Sequence, residues 1–203
     1  MSHPSEYLTL SAPSESIIRE KMSKFIALAF PVSTAEEARA VVKRVENEYH
    51  DARHVCWAYM LGAAMEEFQW SDNGEPSGTA GKPILGQIRS VGVTNVVIAV
   101  VRYFGGIKLG TSGLIQAYRE SARAALDAAD LVTKYETSQI AFTFPYIGMN
   151  DVMRAVKDPE IKIVGQEFDN TCRMILSIRS DHADALRKKL EDISGVSVEC
   201  KNK

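Results

Sequence analysis

The chemistry available to this chain is concentrated between Ser71 and Tyr118, where two glycine-rich stretches flank an apolar run. The first reads S-D-N-G-E-P-S-G-T-A-G-K-P. The run is N-V-V-I-A-V, and the second stretch is V-R-Y-F-G-G-I-K-L-G-T-S-G-L-I-Q-A-Y. Nine of the thirteen glycines lie here, which points to two loops needing unusual backbone angles or close approach to a partner. The second loop leads into a predicted helix. Gly105, Gly106, Gly110, Thr111, Ser112 and Gly113 would therefore gather free N–H groups at a positive helix end, an anion site, with Thr111 as the helix cap. Arg102, Lys108 and Arg119 can add charge there, as can Lys82 from the first loop. The spacing is not that of a Walker loop. Tyr103, between Arg102 and Phe104, sets aromatic surface beside cations. That combination suits single-stranded or irregular RNA, and it equally suits a protein partner.

Asp72 and Glu75 are two carboxylates three residues apart, a spacing open to metal binding or acid–base work. The plainer alternative is that Asp72 caps a turn and Glu75 stands in solvent. No H-E-x-x-H, nucleophile elbow or Cys–His pairing argues for catalysis. No catalytic residue is therefore assigned, and the chain is read as a binding protein without cofactor or metal.

The two stretches closely resemble the signature of the YigZ/IMPACT family, and A-R-H-V-C-W-A-Y at 52–59 resembles a third family block. His54 joins Asp72 and Glu75 as a candidate through its place in that block. Asn73 stands where the family usually has a second Asp, and Ser112 where it usually has Gly. The resemblance implies the bacterial two-domain form, of class α+β. The N-terminal part would be an α/β-sandwich resembling domain IV of elongation factor G, ribonuclease PH and the GHMP kinases. The C-terminal part would be a ferredoxin-like domain resembling the last domain of elongation factor G. It also implies a link to translation, since the eukaryotic IMPACT relatives look like regulators of the general amino-acid control kinase acting through protein contacts. The expected partner is RNA or the ribosome, with a protein partner as the alternative; an enzyme acting on a phosphorylated small molecule ranks below both.

The rest of the chain must position these loops. Residues 5–31 alternate in the manner of strands, with candidates at 16–20 and 24–30. Thr34 or Ser33 can cap an amphipathic helix over 34–48. In the strand 53–61, Val55, Trp57, Tyr59 and Leu61 are expected in the core and His54 on the opposite face. A short strand at 68–70, a helix at 80–91, a strand at 95–102 covered on both faces and a helix at 112–129 follow. The polar junction D-L-V-T-K-Y-E-T suggests a boundary between domains 1–132 and 133–203. Beyond it the pattern reads strand 138–144, helix 146–157, strands 161–168 and 171–179, helix 181–193 and strand 196–201, the order βαββαβ.

Charge is uneven. Residues 76–123 carry six Lys and Arg against one acidic residue, whereas residues 1–75 carry seven against twelve. The basic excess thus falls on the glycine-rich region, as an anionic partner requires. There is no run of 18 apolar residues for a membrane span and no basic-then-apolar leader. Cys56, Cys172 and Cys200 are odd in number and widely spaced, so reduced cysteines and a cytoplasmic location are expected.

Overall fold

The computed structural model describes residues 5–199. Cys200 and the end of the predicted last strand lie outside them. The described chain divides into two units, Glu6–Lys134 and Tyr135 onward, the latter including Ser5.

The first unit is built on a five-stranded antiparallel sheet in the order β2-β3-β6-β4-β5. Its strands are β2 (Ser14–Glu20), β3 (Ser23–Pro31), β4 (His54–Leu61), β5 (Glu67–Ser71) and β6 (Val96–Tyr103). β6 is central because every residue from Val96 to Val101 is apolar; all six are fully buried. Helices α2 (Gly81–Val91) and α3 (Gly110–Asp127) cover one face, and α1 (Ala35–Glu48) covers the other. Thr34 caps α1, its Oγ1 accepting the Glu37 N–H at 3.1 Å.

Two expectations need correction. The face of β4 that carries His54 is not peripheral. Cys56, Ala58 and Met60 lie in the larger core under α2 and α3, while Val55, Trp57, Tyr59 and Leu61 pack towards α1. Small and unbranched side chains suit the side where two helices press close. The polar junction at the expected boundary, to which the sequence assigns no element, also holds a strand. Leu131–Tyr135 forms β7, which pairs with β1 (Glu6–Leu10) in a two-stranded ribbon. Val132 and Thr133 are β-branched, and strand pairing satisfies their backbone although the segment is polar.

In the second unit, β8 (Thr137–Pro145), α4 (Met149–Ala155), β9 (Lys162–Glu167), β10 (Thr171–Arg179), α5 (Ala183–Glu191) and β11 (Ser197–Val198) follow in order. The sheet order is β11-β8-β10-β9. Ile140, Phe142 and Phe144 of β8 alternate with exposed or half-buried neighbours. They meet Met174 and Leu176 of β10 in a separate core under α4 and α5. The predicted helix 146–157 starts as a 3-10 turn at Tyr146–Gly148, where Pro145 and Gly148 disfavour regular helix.

Candidate functional site

The two glycine-rich loops meet. Strand register places His54 directly opposite Arg102, and both side chains point to the same face as Cys56 and Val100, where α2 and α3 pack. At this edge a cleft of about 380 Å³ opens, lined among others by Arg53, His54, Glu75, Arg102, Phe104, Lys108 and Thr111.

The floor of the cleft is a buried polar network. Glu75 Oε1 accepts from Arg102 Nη1 at 2.6 Å and from the Tyr118 hydroxyl at 2.8 Å. Cys56 Sγ lies 3.3 Å from Tyr118 Oη and 3.0 Å from the Asp72 carbonyl oxygen. Glu75 is 9% exposed and Arg102 6%. The expectation of a solvated Glu75 is therefore overturned: Glu75 turns inward while Pro76 and Ser77 stay exposed, and the Arg102 guanidinium balances the carboxylate's charge. Phe25 and Phe104 stack on Arg102 at 5.5 and 5.6 Å from its Cζ. Its Nε is the one buried side-chain nitrogen or oxygen without a hydrogen bond among the described residues. Burial pushes the Cys56 thiol up to about 12, so it is an inert core thiol beneath the cleft lining. Burial, reinforced by Cys56 and Glu75, also raises Tyr118 above the ordinary phenol value.

Asp72 is committed to the backbone. Its Oδ1 accepts the Ala80 and Gly81 N–H groups at 3.0 and 2.8 Å, and its Oδ2 accepts that of Gly78 at 2.8 Å. The chain's own carboxylate therefore occupies the start of α2. Asp72→Ala is expected to lower stability by about 1–2 kcal/mol, measured by urea unfolding. A change within error would show that water satisfies these donors equally well. Asn73 turns its amide to Glu46 Oε1 at 3.2 Å and does not pair with Asp72.

The start of α3 differs. Gly110 begins the helix, so Thr111 lies within its first turn and is not the cap predicted from sequence; buried Leu109 holds the cap position, two residues earlier. No side chain caps it and no acidic residue lies in its first turn. Its N-terminus opens on the cleft beside Lys108 and Arg53, neither of which has an ion-pair partner among the described residues. His54 Nδ1 donates to the Asn73 carbonyl oxygen at 2.7 Å.

Not every candidate converges. Tyr103 points to the α1 face, where its hydroxyl donates to Asp51 Oδ1 at 2.8 Å and Lys24 lies over its ring. Lys82 and Arg119 line a second groove with Gly78 and Ile115. Gly105 and Gly106 form the turn behind Phe104, while Ser112 and Gly113 continue α3. Sequence reasoning missed Arg53, Cys56 and Tyr118, whereas Phe104 is already read from sequence as aromatic surface beside Arg102. For Arg53 the signal was there as the neighbour of His54 in A-R-H-V-C, and for Cys56 as the next residue on the same face of β4 as His54.

Fold and site together define a two-unit α+β protein with a cation-lined cleft between two glycine-rich loops. The Impact N-terminal domain model matches residues 21–126, which include every cleft residue, and the chain belongs to the IMPACT family. It is 32% identical over 194 residues to an IMPACT family member of Haemophilus influenzae, the match covering 93% of each chain. It is 32% identical over 195 residues to IMPACT family member YigZ of Escherichia coli, covering 95% of this chain and 96% of that one. A crystal structure of a hypothetical protein superposes with a TM-score of 0.76 at 29% identity, covering 98% of this chain and 99% of the other. Among the described residues no helix is long and apolar enough to cross a membrane.

Proposed function

We propose that this protein is a translation-linked, cytoplasmic binding protein that holds RNA at the cleft of its first unit. The carrying observation is the contrast between the two helix starts. Asp72 fills that of α2, whereas that of α3 stands uncapped beside Lys108 and Arg53. An uncapped N-terminus flanked by two unpaired cations attracts phosphate. Phe104, 44% exposed at the rim, offers a face for a base. Arg102 acts indirectly, holding Glu75 and supporting Phe104. The proposal extends to fold kinship: the βαββαβ order and β11-β8-β10-β9 sheet support a ferredoxin-like second unit. For the first unit, the proposed relation to domain IV of elongation factor G, ribonuclease PH and the GHMP kinases rests on the sequence resemblance.

The test is fluorescence anisotropy with a labelled octauridylate over a salt series. An Arg53→Ala/Lys108→Ala variant is expected to bind more weakly and to lose about 1.4 from the salt slope, two contacts on a single strand. Superimposable curves for variant and parent would refute the reading. A second reading, a protein-docking surface, draws on the exposed Met22, Phe104 and Ile107 near the cleft. A partner captured by the parent after nuclease treatment, and lost by Phe104→Ala, would favour it.

A further inference from the structure

We infer that the cleft continues into the second groove as one track for a single-stranded RNA segment several nucleotides long. The inference rests on the RNA reading above and adds the ligand's form. Both openings lie along the same seam, between the loop and helix of residues 72–91 on one side and α3 on the other. Pro76, Thr111 and Leu114 line the cleft; Gly78, Ile115 and Arg119 line the groove. On both sides the lining passes from cleft to groove within two residues. From Thr111 to Arg119 the seam runs about 12 Å along the helix, more than one phosphate group occupies.

The groove is built for an anion and carries no acidic residue in its lining. Lys82 is exposed and lies 5.8 Å from the centre of the Trp70 ring, which holds its ammonium without neutralising it. Arg119 is exposed and makes no ion pair among the described residues. Gly78 and Gly86 keep the groove floor low. The cleft supplies the aromatic face and the helix start, and the groove supplies two further cations. A flexible strand can place one nucleotide at Phe104 and a neighbouring phosphate between Lys82 and Arg119. A duplex is too stiff to follow such a path.

Labelled diuridylate and octauridylate, titrated against the parent and a Lys82→Ala/Arg119→Ala variant, separate the two ideas. Both substituted side chains are exposed, so the fold should persist; circular dichroism checks this. The parent is expected to bind the octamer more tightly than the dimer. The variant is expected to bind the dimer as the parent does, lose roughly tenfold on the octamer, and show a salt slope reduced by about 1.4. Dimer binding with no gain at eight nucleotides, or an octamer indifferent to the substitutions, would overturn the track and leave the cleft reading standing. Failure of both oligomers to bind would remove both. Displacement of the octamer by an equimolar phosphate-free glutamate octapeptide would also overturn the track, showing a surface that reads acidity alone.

Discussion

Glu75→Ala is expected to cost about 3–5 kcal/mol of folding stability, because it leaves the Arg102 guanidinium buried without a counter-charge. Arg102 is 6% exposed, and Glu75 accepts one of its few polar contacts at 2.6 Å. The same substitution strips the Tyr118 hydroxyl of its acceptor, adding an unsatisfied donor. Arg102→Ala should cost a similar amount by stranding the carboxylate, and the two losses should be far from additive, since either one breaks the same pair. A replacement of both residues by apolar side chains of similar volume is expected to be milder than either single change. Urea unfolding of the two single variants and the double one provides the measurement. A loss below about 1 kcal/mol for Glu75→Ala would match an exposed pair and would place the network in water.

The second large effect concerns Gly105. A Cβ built there overlaps the backbone carbonyl of Met22, so the second loop lies directly on the β2–β3 turn. That turn cannot easily give way. Lys21 and Met22 have φ of 42° and 67°, the left-handed pair needed for a two-residue hairpin, and non-glycine residues adopt it only under constraint. Gly105→Ala is therefore expected to cost about 3 kcal/mol or more, at the upper end of overpacking, and to shift Phe104 from the cleft rim. Gly106 is the control. Its φ is 87°, but a Cβ there meets nothing within 4 Å, so alanine adds only backbone strain of about 1–2 kcal/mol. Thermal unfolding of the two variants should rank Gly105→Ala clearly below Gly106→Ala. The reverse order would mean that the loop stands clear of the hairpin.

Both predictions concern residues whose importance was visible in the sequence and whose role was not. The glycine-rich stretches, the doubly covered apolar strand and the capped helix after Thr34 are legible locally, because each follows from composition and period over a few residues. Family membership is legible for the same reason. Strand alternation alone also separates Arg102 from Tyr103, since adjacent residues in a strand face opposite ways; grouping them in one site ignored that rule. The polar strand at Leu131–Tyr135 was hidden because its partner, Glu6–Leu10, lies more than a hundred residues away.

What only the tertiary structure decided is which charges are spent inside the fold and which face outward. Asp72 and Glu75 look alike in sequence, yet one closes a helix start and the other a buried ion pair. Arg102 and Lys108 look alike too. Strand register and the packing of α3 bury the first against Glu75 and leave the second at an open helix end. A side chain's burial depends on which distant segments pack over it, and no local pattern encodes that. The sequence thus determines that basic and glycine residues cluster in one region; long-range packing determines which of them are buried and which face solvent.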